Sequence, residues 1–110
     1  MDNLWWGFWA DYPKVTFEGR PYAVIGERLY TEHAVARTHP SGRRRGGSAF
    51  DLAARSISPN NIEYVILNGQ KKLVSHKGEL RTEHTAGDVM VVTTRDDRIV
   101  ITCMYTHEAF

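Results

Sequence analysis

One cysteine in 110 residues, Cys103, leaves no internal disulfide framework and no cysteine-paired zinc motif. It lies in an apolar run, where a thiol is expected to be buried and inert. Long hydrophobic stretches are also missing. The most apolar segment, Leu4-Trp5-Trp6-Gly7-Phe8-Trp9-Ala10, falls far short of the ~20 residues that span a bilayer. The beginning of the chain has neither the basic start nor the small-residue cleavage site of a signal peptide. An excess of one sign of charge is missing: the net value is +1, so no whole-molecule field demands a polyanionic partner. The glycines at Gly42 to Gly47 precede no Lys-Ser/Thr pair and open no helix, which excludes a phosphate loop. A nucleophile elbow and a His-Glu-x-x-His pair are absent as well.

What is present is an ordinary globular composition, 42% hydrophobic and 25% charged, in a length that fits one domain. The expected division is an aromatic N-terminal arm, residues 1–13, followed by a single domain, residues 14–110. The arm is expected to pack on the core or on a neighbouring domain.

Lys14 to Tyr30 reads as β structure. Val15 and Phe17 alternate with polar neighbours, Glu18-Gly19-Arg20-Pro21 has turn chemistry, and Tyr22 to Ile25 resumes an apolar run. Thr31 offers a helix N-cap with Glu32 in the first turn, and Pro40 closes that short helix. Ser41 to Ser48 is a Gly- and Arg-rich loop, and Asp51 to Arg55 could make one further helical turn. The clearest helix starts at Ser58 as N-cap with Pro59 at its first position. It carries an Ile62, Val65, Ile66 stripe and ends at Asn68-Gly69 in a left-handed cap. Beyond it Lys71 to His76, Leu80 to His84, Val89 to Thr94 and Ile99 to Tyr105 read as strands, the last two apolar on both faces as at a sheet centre. The order predicts an α+β fold: an N-terminal β hairpin and two or three short helices packed on a four-stranded antiparallel sheet.

The histidines His33, His39, His76, His84 and His107 show no recognised metal-site spacing, so neither a metal nor a cofactor is expected. Acid–base chemistry with histidine and cations remains. Cleaving RNA without metal needs a base for the 2′-hydroxyl proton, an acid for the leaving 5′-oxygen, and fixed positive charge at the phosphate. His33 and Arg37 are four apart and share one helix face. His84 falls at a strand end beside a loop, and Thr102 is the odd polar residue on a face shared with Val100 and Met104. These four are the candidate catalytic residues. Arg43, Arg44, Arg45, Lys71, Lys72 and Tyr105 are candidate substrate-binding residues, although a regular strand turns Tyr105 away from the face of Thr102. Each also has a plainer reading: a surface or capping histidine, a solvated arginine face, a strand threonine.

The pattern Tyr30-Thr31-x-His33-Ala34-x-x-Arg37, a Gly/Arg loop, Arg55-Ser56-Ile57-Ser58-Pro59 and Ile62-Glu63-x-Val65-Ile66-x-x-Gly69 resembles the C-terminal toxin domains of contact-dependent-inhibition and Rhs-type polymorphic toxins. Gly87-Asp88-Val89-Met90-Val91-Val92 and Ile99-Val100-Ile101-Thr102 extend the likeness, which covers about residues 28 to 105. These domains have the BECR fold, named for barnase, EndoU, colicin and RelE ribonucleases. The resemblance implies metal-independent RNA cleavage, commonly of tRNA, and a cognate immunity protein. It further implies delivery by a larger secreted protein into a target-cell cytoplasm. It places the family's helix histidine on His33, its cation on Arg37 and its late-strand threonine on Thr102; His84 enters only by its position. An inactive RNA-binding module, or an immunity or partner-binding module anchored by the aromatic arm, is the alternative expectation.

Overall fold

The computed structural model describes residues 3–39 and 56–106. A 3-10 turn at Trp9–Asp11 leads into β1 (Lys14–Phe17), β2 (Arg20–Ile25) and β3 (Arg28–Tyr30), then α1 (Glu32–Arg37) and α2 (Pro59–Asn68). Four strands follow: β4 (Gln70–His76), β5 (Glu79–Ala86), β6 (Val89–Thr94) and β7 (Ile99–Tyr105). All seven form one sheet in the order β1-β2-β3-β7-β6-β5-β4.

This corrects the expected four-stranded antiparallel sheet. The four late strands do form an antiparallel meander, but β3 lies parallel to β7, pairing Leu29 with Ile99 and Tyr30 with Val100, and so joins the N-terminal strands to the same sheet. The hairpin is not an accessory layer. Burial explains the pairing: Leu29 and Tyr30 point to opposite faces and both are buried, a state a short strand reaches inside a sheet and not at its edge. Asp51 to Arg55, expected as a further helical turn, lies outside the described residues.

Local chemistry accounts for most boundaries. Glu18-Gly19 and Lys77-Gly78 take positive φ at both central residues, the two-residue geometry that matches strand twist in hairpins. Thr31 Oγ1 accepts from the Ala34 N–H at 2.9 Å, and the Ser58 hydroxyl accepts from the Asn61 N–H at 3.2 Å, so both helices are capped as expected. The end of α2 differs from expectation. Gly69 is extended, at φ −75, not left-handed. Its glycine is required by close approach: a Cβ there would sit 2.5 Å from the Val65 carbonyl oxygen and 2.8 Å from that of Thr85.

The helices cover one face of the sheet. Ala34, Val35, Ile62, Val65 and Ile66 pack there with Ala23, Ile25, Tyr30, Val91, Val100 and Cys103. Cys103 is buried, as its apolar run suggested. The opposite face carries Tyr22, Leu29, Arg81, Val92, Thr94 and Thr102 by register. A bulge places Ile101 as the extra residue in β7, between the Thr93–Val100 and Val92–Thr102 pairs. Among the described residues no helix is long and apolar enough to cross a membrane.

Candidate functional site

Helix α1 follows β3 after one residue and packs along β7, which continues past the three-residue β3. Thr31 makes the corner. Its backbone N–H donates to the Val100 carbonyl at 3.1 Å and its hydroxyl donates to the Ile101 carbonyl at 2.9 Å. Ala34, Val35 and Thr38 turn inward, which directs His33 into solvent and leaves Arg37 half-buried at the helix end. Two buried polar atoms on this packed pair of elements, Arg37 Nε and Thr102 Oγ1, have no hydrogen-bond partner among the described residues. An unmet buried donor or hydroxyl costs about 1–3 kcal/mol, and such groups are few in a folded protein.

Beside this junction the uncovered face of the sheet forms a groove of about 250 Å³. Thr31, Ile99 and Ile101 line it at the α1 end, Phe17, Arg20 and Tyr22 from the first hairpin, and Arg81 from β5. On a flat sheet β2 and β5 would stand about 19 Å apart at ~4.8 Å per strand, so a groove shared by both requires the sheet to curl. Its arginines Arg20, Arg81 and Arg98 are matched by Glu18, Glu79 and Asp96. Arg81 already pairs with Glu79 at 3.1 Å, and Arg98 lies over the Phe17 ring at 5.2 Å. The Thr94 hydroxyl and the Arg98 backbone N–H hold the Asp96 carboxyl below its ordinary range. The groove therefore alternates charge along its walls and is not a uniformly basic trench.

His84 belongs elsewhere. The strand runs on to Ala86, so His84 sits inside β5 opposite Lys71 and Val91, on the helix-covered face, fully buried. Its Nε2 is 2.9 Å from Thr93 Oγ1 and 3.1 Å from Asp97 Oδ1, while the Thr93 hydroxyl donates to the same carboxylate oxygen at 3.1 Å. Lys71 Nζ reaches Asp97 Oδ2 at 3.3 Å. Burial pushes the His84 pKa down, against the opposing pull of Asp97. A neutral ring with Nε2–H facing Asp97 and Thr93 leaves Nδ1 as a bare acceptor, and that atom is indeed buried without a partner among the described residues. Asp97 itself has φ +64 and accepts, through its carbonyl, a bond from Arg28 Nη1 at 2.5 Å. Arg28 closes the network with a bidentate pair to Glu63 of α2, 2.7 and 2.8 Å.

The structure thus separates the sequence candidates. His33 and Arg37 on α1 and Thr102 on β7 belong to the two elements of the junction. His84 lies elsewhere in the sheet, with no exposed surface through which to touch a substrate. Lys71 and Lys72 point to opposite faces, and only Lys71, itself exposed, pairs with Asp97. Tyr105 pairs with Val89 and packs against the core, on the face opposite Thr102 as a regular strand end requires. Arg43, Arg44 and Arg45 lie outside the described residues, as does His107. Sequence reading missed both Asp97 and Arg28. An acid in a tight turn just after a strand is a common solvated pattern, and nothing local reveals the partners that His84, Thr93, Lys71 and Arg28 become. Among the described residues no group of three His, Cys, Asp or Glu converges as a metal site would need. No protein-family model, curated protein or solved structure matches this chain.

Proposed function

We propose that the chain is an RNA-cleaving domain that works without a metal, of the kind delivered as polymorphic toxins, with its reaction centre at the α1–β7 junction. The observation that carries the reading is the pair of enclosed, unpartnered polar atoms, Arg37 Nε and Thr102 Oγ1, on elements that also hold a solvent-facing imidazole one helical turn away from the arginine, all among the described residues. A phosphodiester offers oxygens that accept from a guanidinium and from a hydroxyl. To meet both it must enter between α1 and β7, because Thr102 lies on the sheet face opposite the helices and neither atom is open to solvent. His33, reaching the same group from solvent, is suited to take the 2′-hydroxyl proton or to protonate the leaving 5′-oxygen, because an imidazole exchanges protons near neutrality. Arg37 would stabilise the charge that builds on the phosphate, and Thr102 would orient a non-bridging oxygen. The product is a 2′,3′-cyclic phosphate. tRNA is the substrate and a cognate immunity protein the inhibitor that accompany this reading.

The test is to sequence cellular RNA ends after brief induction of the wild type and of His33→Ala. New cyclic-phosphate ends that persist in excess chelator are expected from the wild type, and their rate of formation should fall about a hundredfold in the variant. Intact tRNA and unaltered growth on wild-type expression would remove the proposal.

A further inference from the structure

The N-terminal arm combines a fixed backbone with unusually exposed rings. Trp5 is 61% exposed, Trp6 40% and Phe8 65%. Yet their main chain is thoroughly tied. The Tyr12 hydroxyl, on a buried side chain, donates to the Trp5 carbonyl at 2.7 Å and accepts from the Gly7 N–H at 2.7 Å. Phe8 N–H donates to Asp11 Oδ2 at 2.8 Å, and Leu4 N–H donates to Asn60 Oδ1 of α2 at 3.0 Å. His39, just past the end of α1, bonds the Gly7 carbonyl through Nε2 at 2.7 Å. Both Trp6 and Phe8 stack on its imidazole, at 5.5 and 4.2 Å and only 17° and 19° from parallel.

A segment ordered this firmly for the fold alone would turn its largest rings inward, as Leu4 and Trp9 do. Here the ordering instead presents flat aromatic faces to solvent, with their conformational entropy already lost. We infer that the Trp6–His39–Phe8 stack, with Trp5 beside it, is a docking platform for an unpaired nucleobase of single-stranded RNA. Flat rings stacked nearly parallel select a planar aromatic partner. A cation nearby suits the phosphate that such a base carries: Arg37 lies two residues before His39, whereas the Lys14 ammonium, over the Trp9 ring at 4.6 Å, is held by the Trp9 and Tyr12 carbonyls. The neighbouring carboxylate of Asp11 is committed to capping the arm's own turn. The platform touches α1 at the end that carries Arg37, so the inference rests on the proposed reaction centre and assigns it a neighbouring base subsite.

The experiment measures binding apart from cleavage. In a His33→Ala background, a fluorescein-labelled single-stranded RNA about twelve nucleotides long, enough to cover one ordinary single-strand binding site, and the same strand with abasic positions are titrated by anisotropy. Intact RNA should bind about tenfold or more tighter than abasic RNA, and Trp6→Ala with Phe8→Ala should abolish that difference. Trp6→Phe and Phe8→Tyr, which keep flat rings, should preserve it and so separate stacking from loss of fold. Equal binding of intact and abasic strands by the parent protein would overturn the inference. So would rings required for binding anionic phospholipid vesicles while RNA binding ignores them. A base-dependent affinity in a protein that makes no cyclic-phosphate ends would retain the platform and remove the nuclease reading.

Discussion

Two imidazoles in this fold meet opposite fates. His84 lies sealed beneath the helices, its ring nitrogen held by Thr93 and by Asp97, which in turn holds Lys71. His33 stands in water on a six-residue helix, which also carries Arg37 and packs on the strand of Thr102; each of those two has a buried polar atom unpaired among the described residues. The contrast separates two uses of one side chain. A ring enclosed with its partners fixes the position of neighbouring strands. An accessible ring near unmet polar groups is placed to act on something that arrives.

Breaking the buried side should give the largest change in stability. Asp97→Ala strips the shared acceptor from His84, Thr93 and Lys71 together, and leaving the buried His84 Nε2–H and Thr93 hydroxyl short of that acceptor costs about 1–3 kcal/mol. Urea denaturation should register that loss, while His33→Ala should leave the midpoint in place. Equal destabilisation by both would erase the distinction.

Thr102→Val sharpens the comparison from the other side. It keeps the shape of the side chain and removes a hydroxyl that has no partner among the described residues, so stability should hold or rise by up to ~1 kcal/mol. RNA cleavage should nevertheless fall about tenfold, the loss of one hydrogen bond made in the transition state. A stability loss larger than that of an ordinary surface change would show that the hydroxyl serves the fold.

The smallest effect is a slope. Burial lowers the His84 pKa in the folded chain, so on acidification the unfolded chain takes up a proton near 6.5 while the folded ring stays neutral. The unfolded state then binds more protons, and stability falls as the pH drops through that value toward the folded pKa. His84→Gln should flatten the dependence measured by denaturation between about pH 7 and pH 5, the window in which an imidazole titrates. An unchanged slope would assign it to other groups.

Much of the local structure was legible. Ser58-Pro59 and the Ile62, Val65, Ile66 stripe specify α2, and Thr31 specifies the start of α1, because caps and hydrophobic period act within a few residues. The candidate junction was legible in part: His33 and Arg37 share a helix face by spacing alone, and the separation of Thr102 from Tyr105 follows from strand alternation. The parallel β3–β7 pairing was not legible. Its strand is three residues long, and the bond that secures its end, Thr31 to Ile101, joins residues 70 apart. The role of His84 was misplaced for a related reason: β5 continues past it to Ala86, and its partners come from β6 and the turn that follows.

The sequence by itself determined where helices and hairpins begin and end, since capping, turn chemistry and side-chain period are short-range forces. Only the tertiary structure decided that the early strands join the late ones in a single curled sheet, which face each histidine meets, and which polar atoms go unpaired. Those outcomes depend on burying both sides of a strand against distant partners, and no stretch of chain carries that information until the others are in place.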